Sequence, residues 1–115
     1  MPTTTATYTV ADTDEITADV LIGDGQPGGS TVSLGTTQLK KGGDTLTAVD
    51  VGTGRSIRGK KLIITSVVEN KNPATNNTST QVTIKGSTAP KEMEQKQAAT
   101  SKGDIISYVT VVTFT

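Results

Sequence analysis

Forty-two of the 115 residues are branched at Cβ: 23 Thr, 11 Val and 8 Ile. Such side chains are stiff at χ1 and crowd a helical turn, but they pack well on a pleated surface. The order in which they occur strengthens the point. From Thr3 to Val10, the residues Ala6, Tyr8 and Val10 alternate with Thr5, Thr7 and Thr9. From Ile16 to Ile22, Ile16, Ala18, Val20 and Ile22 alternate with Thr17, Asp19 and Leu21. A period of two is the pattern of a half-buried strand.

The same reading predicts a short strand over Ser30–Leu34, bent or bulged at Gly35 and continued through Thr36–Lys40, and another over Thr45–Val51. Lys60–Glu69 is the strongest strand pattern. Leu62, Ile64, Ser66 and Val68 occupy one face, and Ile63, Thr65 and Val67 the other. Both faces are apolar or Thr, as a central strand requires. Lys71–Asn77 reads as a loop, with Pro73 holding Asn72 extended. Thr78–Lys85 then returns as a strand, so that Lys60–Lys85 forms a hairpin or a sheet corner. Ile105–Thr115 closes the chain as a long strand. Residues 87–104 break the pattern. KEMEQKQAA is rich in helix formers but has Met93 as its one large apolar residue, which predicts an exposed loop or one short surface helix near 91–99.

About seven or eight short strands with Gly-rich turns predict an all-β chain, a single β-sandwich domain over residues 1–115. The expected type is immunoglobulin-like or C2-like, with a small β-barrel as the alternative. An apolar fraction of 32% gives a core that is thin but sufficient for a domain of this length.

Composition also narrows the chemistry. The chain has no Cys, His or Trp and only three aromatic residues, Tyr8, Tyr108 and Phe114. That excludes disulfides, thiol chemistry, histidine–metal sites and a Ser-His-Asp triad. The expectation is therefore a protein that is not an enzyme. With a net charge of zero and few stacking side chains, nucleic acid is not an expected partner. No apolar run reaches the roughly 20 residues of a membrane helix, so direct membrane insertion is not expected. The start of the sequence lacks a signal-peptide pattern, whereas its Thr, Gly and Asn content suits an exported or cell-surface module.

Several constellations are candidates for a site. Gly23, Gly25 and Gly28 satisfy G-x-G-x-x-G, but Pro27 and a strand-like continuation replace the helix that would hold a pyrophosphate, so this is read as a loop. Asp12, Asp14, Glu15 and Asp24 form a candidate Ca²⁺ set if their two loops meet, since calcium takes six to eight oxygens. No other cofactor is expected. Arg55, Arg58, Lys60 and Lys61 are the densest basic cluster and a candidate anion or acidic-partner site. Asn76 and Asn77 open overlapping glycosylation sequons. The Thr-x-Thr steps could form a water-ordering face, but they lack a fixed repeat.

Residues 1–30 carry five acidic and no basic side chains, and all eleven basic side chains lie in the remainder. The two regions either pair within one molecule or drive head-to-tail association. The functional expectation is a non-catalytic binding or structural module, acting on a protein partner or by self-association, through its loops or by strand addition at an edge. Alternatives are a self-assembling subunit of a fibre, tube or surface layer, and a Ca²⁺-dependent ligand-binding domain. The Thr-rich first strand, with little to bury, is a candidate for exchange with a neighbour.

Overall fold

The structure is a computed structural model and describes residues 1–87 and 89–115. Strands β1 (Thr3–Tyr8), β2 (Glu15–Ile22), β3 (Gly28–Leu34), β4 (Thr37–Gly43) and β5 (Leu46–Thr53) lead into a one-turn helix, α1 (Gly54–Ile57). Strands β6 (Lys61–Glu69), β7 (Asn77–Lys85), β8 (Lys91–Ala98) and β9 (Ile105–Phe114) complete the chain. A five-stranded sheet in the order β1-β9-β6-β3-β4 packs on a four-stranded sheet in the order β5-β2-β7-β8. The sheets form a sandwich and do not close into the alternative barrel. β3, β6 and β9 are neighbours, and β2 lies beside β5, as C, F, G and B, E do in an immunoglobulin-type sandwich. The β7–β8 hairpin, inserted before the last strand, departs from that arrangement.

Two local readings of the sequence are corrected. Gly35 reverses the chain. Leu34 pairs with Thr37 across the turn Gly35–Thr36, and Gly35 adopts φ 59°, where glycine opens a tight hairpin turn. One bent strand is thus two antiparallel strands. The second correction concerns residues 91–99, which hold strand β8 instead of a loop or helix. β8 pairs with β7 from Asn77↔Ala98 to Ile84↔Lys91 and buries Met93 opposite Val82. The open edge of β7 offers eight residues a backbone ladder, whereas a helix would have had one apolar residue to bury. Glu92, Glu94 and Lys96 on this edge also discourage pairing with other chains.

The core follows the alternation. Val32, Leu62, Ile64, Val112 and Phe114 from one sheet meet Ile16, Ala18, Val20, Val82 and Ile84 from the other. Full burial of each large aliphatic side chain contributes roughly 1.5–3 kcal/mol. A smaller cluster, Ile22, Val68 and Tyr108, lies towards one end. Buried hydroxyls lie among these residues and satisfy one another. Ser30 and Ser66 share a 2.7 Å hydrogen bond, as do Thr78 and the Tyr108 hydroxyl at 2.5 Å. Among the described residues no buried side-chain polar atom lacks a partner.

β1 is better anchored than its composition implies. It runs parallel to β9, and Tyr8 and Val10 are both 5% exposed. The Tyr8 ring meets Phe114 edge-on at 6.4 Å. The loop that follows is held against α1. The amides of Gly54 and Arg55 donate to the carbonyls of Asp14 and Asp12, and Arg58 donates to the Val10 carbonyl. A Cβ on Gly54 would stand 1.8 Å from the Ala11 oxygen, so only glycine permits this approach. The joint that strand exchange would have to open is therefore pinned.

No helix among the described residues is long and apolar enough to cross a membrane.

Candidate functional site

β2 carries Glu15 at one end and leads to Asp24 beyond the other. It has eight residues and is about 25 Å long. The carboxylates of Asp12, Asp14 and Glu15 are thus separated from Asp24 by the length of the sandwich, and the expected four-residue Ca²⁺ set does not converge. Among the described residues, no three Asp or Glu side chains lie close enough together to hold a metal ion. The acids near α1 have other partners. Asp12 forms ion pairs with Arg58 and Arg55, and Asp14 accepts from the Ala11 amide at 2.8 Å.

The same contacts divide the basic cluster. Arg55 and Arg58 turn to Asp12, while Lys61 opens β6 in register with Thr113. Asp19, a second acid of the N-terminal region, forms an ion pair with Lys85. Its carboxyl is held below the usual carboxylate range, first by the Ala48 amide that donates to it and then by Lys85. Part of the charge asymmetry along the chain is therefore neutralised within one molecule.

The loop end was a predicted binding region, and its polar groups are turned inward. Gln26, from the G-x-G-x-x-G loop, is 5% exposed. Its side-chain oxygen accepts from the amides of Lys71 and Asn72, at 2.8 and 2.7 Å. Its nitrogen donates to Asn70 Oδ1 and to the carbonyls of Asn77 and Thr75. Asn70 is fully buried and donates to Asn76 Oδ1 and to the Ser101 carbonyl. Lys102 Nζ closes the assembly, donating at 2.6 Å to the carbonyls of both Asn72 and Thr75. Three loops are welded together, and their strongest hydrogen-bonding groups are used in doing so. The cleft beside them, of about 230 Å³, is lined by Asp24, Asn77, Thr78, Lys96, Gln97 and Ala98.

The outer face of the five-stranded sheet has the opposite character. Registers Val111↔Ile63 and Val109↔Thr65 place aliphatic side chains side by side across β9 and β6. Val67 continues the row at 42% exposure, and Ile105 is 64% exposed. Next to them, Gly29, Thr31, Lys41, Gly42, Gly43 and Val67 line a shallow groove of about 530 Å³ between β3, β4 and β6. The glycines leave the groove without walls of their own, and Lys41 stands at its rim. The sequence carried this signal in Ile63, Thr65 and Val67, the second apolar face of the strongest strand. It could not show that, among the described residues, no layer covers that face.

The Thr-x-Thr steps do not form one array. Thr3, Thr5 and Thr7 flank Val109, Val111 and Thr113 on this outer face, whereas Thr78 and Thr80 are buried in the other sheet. No protein-family model matches the sequence, and neither a curated protein nor a solved structure matches the chain.

Proposed function

We propose that the chain is a non-catalytic protein-binding module that works through the outer face of its five-stranded sheet. One observation carries the reading: half-buried Val109, Val111 and Ile63 and exposed Val67 form an aliphatic surface on two neighbouring strands, and among the described residues no further layer packs on it. An uncovered apolar surface rimmed by polar groups marks an interaction site. Its aliphatic side chains are short and already held by the sheet, so a partner would order little on docking.

Three of the four edge strands, β4, β8 and β5, support this choice over strand addition. β4 presents Lys40 and Lys41, and β8 presents alternating charges. β5 is irregular, with register shifts against β2 and Ala48 at φ 52°. All three features discourage pairing with another strand. The loop end contributes little to binding in this reading, because its polar groups serve Gln26, Asn70 and Lys102.

Photo-crosslinking from position 65 in the cell of origin tests the proposal. Thr65 is exposed at the centre of the aliphatic row. A photoreactive residue there should give discrete protein adducts, and Val109→Glu should abolish them. The same group at Ser56, on α1, should give none. Absence of adducts at 65, or equal adducts at 56, contradicts the reading.

A further inference from the structure

We infer that the partner of this face is a second copy of the chain, docked by the outer face of its four-stranded sheet in a head-to-tail stack. The inference rests on the reading of the five-stranded face as a binding surface and adds the identity of its occupant.

Charge supplies the first argument. The outer face of the four-stranded sheet carries Glu15, Asp19, Asp50, Glu92 and Glu94 against Lys85 and Lys96. Asp19 pairs with Lys85 and Glu94 with Lys96, which leaves Glu15, Asp50 and Glu92 as the excess. On the five-stranded face, Glu69 pairs with Lys71, and Lys41 and Lys61 remain. One face is acidic and the other basic on a chain of zero net charge, so stacking brings unlike charges together and builds up none.

Shape supplies the second. Leu21 is the one large apolar side chain on the acidic face and is 44% exposed. The opposite face holds the shallow, glycine-lined groove beside Val67. An apolar knob on one surface and an apolar groove on another make a heterologous contact, which propagates as an open stack.

Spacing joins the two arguments. On β2, Leu21 stands six residues from Glu15; on β6, Val67 stands six residues from Lys61. Both separations are about 20 Å along a strand. In each case the apolar element lies towards the loop end and the charge towards α1. A translated copy can therefore seat Leu21 in the groove and bring its acidic end to Lys61. The docked four-stranded sheet, with strands about 4.8 Å apart and about seven residues long, limits the contact to about 450 Å² per partner, the size of a weak interface. The contact should be weak and salt-sensitive.

Light-scattering mass during size exclusion tests this with the wild type and two exposed-site variants, Leu21→Asp and Val67→Asp. At about 20 mM salt the wild-type mass should rise with concentration past that of a dimer. At about 500 mM the apparent affinity should fall at least tenfold, because exposed charges are screened. Each variant alone should be monomeric, since each blocks one of the two surfaces. An equimolar mixture should give a 1:1 dimer and nothing larger, through the intact groove of one and the intact Leu21 of the other. The added charges have the same sign and cannot produce that attraction. Three results overturn the inference: a wild type monomeric at about 1 mM and low salt, a wild-type series that stops at a dimer, or a monomeric mixture. If the wild type stays monomeric while position 65 crosslinks to a different protein, the second copy is wrong and the binding face stands. If both fail, the face is not a binding surface.

Discussion

Gln26 and Asn70, 44 residues apart in the chain, meet side chain to side chain at 3.1 Å in the interior. Between them they engage loop residues from Lys71 to Asn77 and Ser101, and so fix the end of the sandwich beyond the small apolar cluster of Ile22, Val68 and Tyr108. Asn70→Ala would remove its three side-chain bonds, to Gln26, to Asn76 Oδ1 and to the Ser101 carbonyl. Each buried group left unsatisfied costs about 1–3 kcal/mol. The expected loss is about 3 kcal/mol, or a melting temperature lower by roughly 10 °C. Gln26→Ala should cost a similar amount, and the double variant less than the sum, because the two side chains share one network. Thermal unfolding of the four proteins checks this; strictly additive losses would show that the residues act separately.

How much of this was legible in the sequence depends on the kind of residue. Alternation identified the inward face of β2, since a one-residue slip would have put its apolar set into water. It failed at β8, where Lys, Glu and Gln favour a helix in isolation and the ladder offered by β7 decides otherwise. It also failed at Gly35, where a turn and a bulge present the same letter. Gln26 and Asn70 gave no signal, because a polar residue in a loop looks the same whether it faces water or closes a buried network. Asp12, Asp14 and Glu15 are close in sequence to Asp24, but β2 carries Glu15 and Asp24 to opposite ends. Sheet order alone determined that.

Asp19 couples stability to pH. Its carboxyl lies below the ordinary aspartate range in the folded chain, through the Ala48 amide and Lys85. A depressed carboxylate stabilises the fold above its unfolded pKa, and that contribution is lost as pH falls through the folded value. Asp19 should therefore contribute fully above about pH 4 and lose its contribution below it. The side chain is partly exposed, so the effect is modest. Denaturant midpoints of wild type and Asp19→Asn should differ at pH 7 and converge towards pH 2. An undiminished difference at pH 2 would contradict this assignment.

Ala48 holds φ 52° in β5, a left-handed conformation that costs a residue with a Cβ about 1 kcal/mol. The conformation lets its amide reach Asp19 Oδ1 at 2.7 Å. Ala48→Gly should keep that bond and relieve the strain. Part of the gain is offset by the greater freedom of glycine in the unfolded chain. A net stabilisation of about 0.5 kcal/mol is expected in denaturant unfolding, with an unchanged m-value. A loss of stability would mean that the backbone is not strained at this position.

The claim that the five-stranded sheet's outer face receives a second copy of the chain is tested most directly by methyl NMR on selectively labelled Ile and Val through a low-salt dilution series. Signals from Ile63, Val67, Val109 and Val111 should shift and broaden together as concentration rises, with Leu21 following in a Leu-labelled sample and buried Ile84 unchanged. A spectrum that does not change with concentration would contradict the account.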